Sequence, residues 1–230
     1  MRIATLLFVL ACCGAVFAAS SFVLSIDGSG SMTLKIDGTK KFEIARNATQ
    51  CLIDSIPEGD EGAIYVYETS HTITRVQPFT TSKGTLRSAA AGMDSEFGMT
   101  DLRGGINESA TYAIQSAQNP NKFVIILSDG GSASMALNRT TAAFREQGVR
   151  IYVVGLAVRT NQTTGVALGN IAENGGGQFY STLDYPTVCD ALKQAYLDGA
   201  AGESTTGGGK CCPMLLILPA AALVLIAAKK

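Results

Sequence analysis

Asp27, Ser29 and Ser31 alternate with glycine in the run Asp27-Gly28-Ser29-Gly30-Ser31, which begins where an apolar run, Phe22 to Ile26, stops. One carboxylate and two hydroxyls are hard oxygen donors, and the interleaved glycines let the backbone fold so that the three converge. A small divalent cation such as Mg2+ takes six oxygens and keeps some of its waters, so three donors from one loop leave a site incomplete. Further oxygen is offered by Thr100 in Gly98-Met99-Thr100-Asp101 and by Asp129 in Ser128-Asp129-Gly130-Gly131, the latter directly behind a second apolar run. Each piece has an ordinary reading. Ser, Asp and Gly furnish many strand-to-helix turns, Thr100 is competent as the N-cap of a helix starting at Leu102, and Asp129 is competent as the head of an Asx-turn. Asp101 reads as a favourable charge in the first turn of that helix, or as support for the cation donors.

These residues need elements to hold them. Short runs rich in β-branched and aromatic residues predict strands at Phe22–Ile26, Ala63–Tyr67, His71–Val76, Phe123–Leu127, Ile151–Leu156 and Gln178–Tyr180. Helical periodicity lies between and after them, at Lys41–Ile56, Gly84–Gly92, Leu102–Ala117, Ala136–Gln147, Val166–Glu173 and Pro186–Asp198. The gap between the second and third strands is too short for a parallel crossover, so that pair is an antiparallel hairpin and the third strand an edge. The other connections contain helices and predict right-handed crossovers. The expected fold is α/β: a doubly wound, mostly parallel six-stranded sheet with one antiparallel edge strand and helices on both faces. Ligands of such sheets sit beyond the carboxyl ends of the strands where strand order reverses, which selects the loops after Ile26, Leu127 and Leu156 and the loop Ser95–Asp101.

With Asp-x-Ser-x-Ser at 27, 29 and 31, Thr100 before a Gly-rich helix start, and Asp129-Gly130 after an apolar strand, the sequence resembles the von Willebrand factor type A domains, also found as the inserted domains of integrins. The resemblance covers about 180 residues, near 20–199. It implies a metal-ion-dependent adhesion site. Ser29 and Ser31 would bind the ion directly, Thr100 directly or through water, and Asp27 and Asp129 largely through water. All five positions are filled. Mg2+ is the expected ion, with Mn2+ and Ca2+ as alternatives, and the expected partner is a protein presenting an Asp or Glu side chain that completes the coordination. The resemblance also implies a last helix able to slide when ligand binds.

An enzyme is disfavoured by what the chain lacks. There is no Gly-x-Ser-x-Gly elbow, phosphate-cradling Gly-Lys-Ser/Thr motif or His/Cys metal cluster, and the one histidine, His71, falls on the predicted edge strand and reads as surface. A metal-assisted hydrolase using Asp27 and Asp129 is the minor alternative. The larger one is a membrane-anchored scaffold subunit in which the ion is mainly structural.

The two ends of the chain predict its setting. Met1-Arg2, the apolar run Ile3–Leu10 and the small residues up to Val16-Phe17-Ala18 read as a secretory signal peptide over 1–18, with a membrane helix as the competing reading. Residues 200–210 read as a flexible linker, and 211–228 carry no charge, enough for a helix of about 27 Å ahead of Lys229-Lys230. The lysines favour a type I span in the cell-surface membrane, Pro219 notwithstanding. A lipid-anchor signal removed on maturation and a buried C-terminal helix are the alternatives. The domain between them holds 14 basic and 18 acidic residues, a net charge near −4, which gives no nucleic-acid signal.

Cys12 and Cys13 fall in the signal peptide and Cys211 and Cys212 at the membrane edge, where they would serve as acylation sites or as plain apolar positions. That leaves Cys51 and Cys189 as a disulfide candidate in an oxidising compartment, or as two thiols buried in helix faces. A bridge would enclose roughly 137 residues, be worth up to about 5 kcal/mol in the chain-entropy limit, and restrain a sliding last helix. Sequons at Asn47, Asn107, Asn138 and Asn161 are the N-glycosylation candidates, while Pro120 excludes Asn119. A glycan on Asn161, after the fifth strand, would limit the size of a partner on the cation face.

Overall fold

A computed structural model describes residues 19–68, 73–95, 98–133 and 135–202. The signal-peptide and membrane-segment readings, most of the linker and His71 therefore lie outside the described residues.

The elements run in the order β1 (Ser20–Asp27), a 3-10 turn (Gly30–Thr33), β2 (Lys35–Ile36), β3 (Thr39–Lys40), α1 (Lys41–Ser55), β4 (Glu61–Tyr67), β5 (Ile73–Thr80), α2 (Lys83–Ala91), α3 (Leu102–Ser116), β6 (Asn121–Ser128), a 3-10 turn (Met135–Leu137), α4 (Asn138–Glu146), β7 (Val149–Leu156), α5 (Thr163–Asn174), β8 (Gly176–Thr182) and α6 (Tyr185–Ala201). The main sheet has the order β5-β4-β1-β6-β7-β8, and only β5 runs antiparallel to its neighbour. β1 is central, in register with β4 on one side and β6 on the other, so that Leu24 lies between Ile64 and Ile125. From β1 the chain winds outward to β4 and β5, then returns across the sheet to β6, β7 and β8. The reversal falls between β1 and β6.

Alternation of side chains across the pleat divides the core into two layers. Phe22, Leu24, Ile26, Phe123, Ile125 and Leu127 meet Leu52 and Ile53 of α1 and Leu192 and Tyr196 of α6. Val23, Val124, Ile126 and Val153 meet Ile106 and Ala110 of α3 and Leu168 and Ile171 of α5. Being covered on both faces, β1 is buried at all eight positions, and its hydrophobic run is therefore continuous rather than alternating.

Within the strands the structure departs from the sequence expectations in three places. β5 continues past Val76 through Pro78 to Thr80, because an edge strand tolerates a missing N–H and the β4–β5 ladder shifts register there. β8 begins at Gly176 rather than Gln178; a Cβ on Gly177 would lie 2.2 Å from the Ile151 carbonyl oxygen, so only glycine lets the strand approach β7 at that point. The hairpin β2–β3 was not anticipated. It turns at Asp37 (φ 49°) and Gly38 (φ 86°), the Asp-Gly pair that a two-residue turn with positive φ prefers.

At the amino ends of the strands, polar groups close on one another. Arg150, 8% exposed, donates to the carbonyls of Gly199 (2.6 Å) and Asp198 (3.5 Å), to Tyr152 Oη (3.2 Å) and to Asn121 Oδ1. Asn121 Nδ2 donates to Ser20 Oγ (2.8 Å) and to the carbonyls of Gly199 (3.0 Å) and Ala200 (3.1 Å). These donors take up the carbonyls that the last turn of α6 leaves without helical partners. The helix accordingly runs through Ala201, where the small residues read as the start of a linker. Tyr196 donates to Asp60 Oδ2, whose Oδ1 accepts from Ser20 N at 2.9 Å, and Tyr180 donates to Asp198. Burial, then the adjacent carboxylates, push both phenols above their ordinary range, so they remain donors at any physiological pH. Higher up, Cys51 on α1 and Cys189 on α6 are joined in a disulfide with Cα atoms 6.0 Å apart.

Candidate functional site

At the carboxyl ends of the strands, beside the reversal between β1 and β6, the chain supplies oxygens instead of closing them off. Asp27 ends β1 and is fully buried. Its Oδ1 accepts from Ser29 N (3.0 Å) and its Oδ2 from Ser128 Oγ (2.7 Å), and Ser128 Oγ in turn accepts from Gly130 N (2.9 Å). Burial raises the Asp27 pKa, the bonds from Ser29 and Ser128 oppose the rise, and the Asp129 charge adds to it. Asp27 thus spends both oxygens on the loops and acts as their organiser.

The serine loop is pinned to its neighbours by Gly28 N donating to the Tyr67 carbonyl and Gly30 N to the Gly98 carbonyl, both at 2.8 Å. A Cβ on Gly28 would stand 2.6 Å from Val66 Cγ1, so the close approach of the loop to β4 requires glycine. The side chains that remain form a chain of contacts. Ser29 Oγ and Ser31 Oγ are 3.1 Å apart, Ser31 Oγ donates to Asp129 Oδ1 at 2.9 Å, and Lys41 Nζ donates to Asp129 Oδ2 at 2.8 Å.

Thr100 approaches from the opposite loop. A Cβ on Gly131 would lie 2.8 Å from Thr100 Oγ1 and 3.8 Å from Asp129 Oδ1, so the two oxygens flank one small space. The N-cap of α3 is Asp101, which accepts from Gly104 N at 2.9 Å, and this frees the Thr100 hydroxyl from capping. Ser132 Oγ accepts from Leu102 N at 3.1 Å. Ser29, Ser31, Thr100, Ser132 and Met99 line an open cleft of about 420 Å3.

The donor set is made of hydroxyl and carboxylate oxygens, which suits a hard cation with waters completing its sphere. Among the described residues no group of three or more His, Cys, Asp or Glu side chains is assembled, so a two-metal arrangement rich in carboxylates is not formed there. Tyr67 Oη lies fully buried below the loops without a hydrogen-bond partner. Burial first, then the nearby Asp27, Asp129 and Asp101 carboxylates, drive its pKa well up and keep it neutral.

A family model for the von Willebrand factor type A domain matches residues 22–194. The chain belongs to that family. Solved structures agree on the fold of this type A domain. The conserved hypothetical protein BatB from Bacteroides thetaiotaomicron superposes with a TM-score of 0.67 at 16% identity, over 80% of this chain and 100% of that one. The vWF domain of the type V pili tip protein Mfa5 from Porphyromonas gingivalis gives 0.60 at 13% identity, over 78% and 94%. Proximal thread matrix protein 1 from the mussel byssus, with a zinc-occupied MIDAS motif, gives 0.61 at 19% identity, over 77% of this chain and 46% of that one. No curated protein matches the sequence.

Of the residues singled out in the sequence, Ser29, Ser31, Thr100 and Asp129 gather at the cleft, with Asp27 beneath them. The sequons do not gather. Asn47 and Asn161 are exposed, Asn107 and Asn138 half-buried, and Ser109 of the second sequon is wholly buried. Sequence reasoning missed Ser128 and Lys41. A serine ending an apolar strand beside Asp129 signals the first. For the second the signal is a lysine opening a helix, where the helix dipole disfavours positive charge.

Proposed function

We propose that this type A domain is a protein-binding module in which Ser29, Ser31, Thr100 and Asp129 hold a divalent cation, Mg2+ for preference, and that an Asp or Glu side chain of a partner protein binds at that ion. The observation that carries this reading is the unbroken run of contacts from Ser29 Oγ through Ser31 Oγ to Asp129 Oδ1 at the rim of an open cleft. When bound, the ion supplies positive charge and an exchangeable coordination position. The residues do the rest: Asp27 holds the serine loop in shape, the serine and threonine hydroxyls present lone pairs, and Asp129 provides the charge. Exposed apolar groups flank the cleft, with Met99 79% exposed, and offer a partner area beyond the ion. The zinc-occupied motif of the mussel protein supports the choice of a cation site, and the pilus-tip neighbour supports a binding role.

The setting we propose is the cell surface, reached through the 1–18 signal and held by the 211–228 segment as a type I span. Protease accessibility on intact cells tests this: protection of the domain would place it elsewhere.

The functional test is partner capture in Mg2+ with and without EDTA, using wild type and Ser29→Ala. Binding lost in both EDTA and the variant, with the circular dichroism spectrum unchanged, supports adhesion through the ion. Metal-insensitive capture would favour the scaffold role instead.

A further inference from the structure

The Lys41–Asp129 pair stands where helix electrostatics disfavour a lysine. Lys41 is the first residue of α1, and its predecessor Lys40, at the N-cap, contributes no side-chain cap. Two adjacent lysines at a helix N-terminus run against the dipole, which there favours anions. The chain nevertheless fixes Lys41 closely. Lys41 N donates to the Leu34 carbonyl at 2.9 Å, and the β2–β3 hairpin between them sets the distance from the serine loop. Its ammonium sits 2.8 Å from Asp129 Oδ2 with the two side chains only 14% and 6% exposed, so water screens the pair poorly.

Asp129 Oδ1 meanwhile faces Ser31, one of the three serines that line the cleft. A positive charge therefore already occupies one oxygen of Asp129, the carboxylate whose other oxygen reaches the serine loop, while both oxygens of Asp27 are spent on backbone and Ser128. Resting on the cation site proposed above, we infer that Lys41 is a tethered competitor for the divalent ion, halving the local negative charge and setting the metal affinity low. The domain then takes up its ion only where the free divalent concentration is high or where a partner carboxylate joins the sphere. Metal loading and partner binding become one coupled event.

The test uses the full-length chain and Mn2+ alone, with free Mn2+ followed by electron paramagnetic resonance. Lys41→Met is expected to bind at least about ten-fold more tightly than wild type, since a unit charge a few ångströms from a divalent ion is worth that much even in a polar medium. Lys41→Arg, which keeps the charge, should stay near wild type. Ser29→Ala should not bind. A second measurement needs no variant: in a Mg2+ titration of wild type, the Lys41 13Cε resonance should shift with the midpoint of metal binding as the ammonium is released from Asp129. Equal or weaker Mn2+ binding in Lys41→Met, or a Lys41 resonance that stays still while Mg2+ binds, overturns the inference and leaves the cation site standing. If neither wild type nor Lys41→Met binds Mn2+, the cation site itself falls, and the competitor with it.

Discussion

The two ends of the sheet use polar residues in opposite ways. At the amino ends of the strands Arg150, Asn121, Asp60 and three tyrosines are consumed by one another and by the last turn of α6. At the carboxyl ends Ser29, Ser31 and Thr100 border an open cleft, with Asp129 behind Ser31, and a tyrosine hydroxyl below them goes without a partner. Hydrogen bonds made within the protein contribute to stability, while lone pairs kept for something else do not. One end therefore carries fold stability and the other, on the function proposed above, carries recognition, and substitutions should separate the two.

Removing the disulfide by Cys51→Ser with Cys189→Ser should cost most, about 3 to 4 kcal/mol for a bridge that spans 138 positions of the chain, read as a lowered denaturant midpoint. Arg150→Met should cost about 3 kcal/mol by leaving the Gly199 carbonyl and Asn121 without their donor, and the folded fraction should still bind metal as wild type does. The comparison breaks if this variant loses Mn2+ affinity while remaining folded. Ser29→Ala should reverse the pattern: metal binding lost by calorimetry, stability within about 1 kcal/mol of wild type without metal. Tyr67→Phe deletes a buried hydroxyl that has no partner and should leave thermal stability unchanged or raise it by up to about 1 kcal/mol. A fall of several degrees would mean that Tyr67 bridges to the loops through water. The smallest effect is expected from Asn161→Gln, which should leave stability alone and, where Asn161 carries a glycan, speed association of large partners measured by surface plasmon resonance. A glycopeptide map showing Asn161 bare removes that last expectation.

The same division explains what was legible in the sequence. β1, β6 and β7 are buried on both faces, and their unbroken apolar runs announce them. Asp27, Ser29, Ser31 and Asp129 stand at strand ends, where the change from apolar to Ser, Asp and Gly is abrupt, while Thr100 is marked only by the helix start that follows it. β5 runs beyond Val76 through Pro78 because its place at the edge makes the proline acceptable, which local pattern does not reveal. The clamp on α6 left no local trace: Arg150 sits inside an apolar strand and its partners are 29 and 49 positions away. Lys41 differs in that a lysine opening a helix is a local signal, but its partner Asp129, 88 positions on, is not legible from it. Periodicity reports which face is buried, not which distant group a buried charge meets.

The placement of the first strand and the last helix has a mechanical consequence. Ser20 and Ala200 meet through Asn121 at the amino ends of the strands, a full strand length from the cleft. A pull between whatever occupies the cleft and the chain beyond Gly202 therefore acts along the strands. It loads the parallel β1–β4 and β1–β6 ladders in shear, so that rows of hydrogen bonds must give way together instead of one after another. With α6 riveted to the sheet by Arg150 and to α1 by the disulfide, none of the described elements on that path peels away by itself.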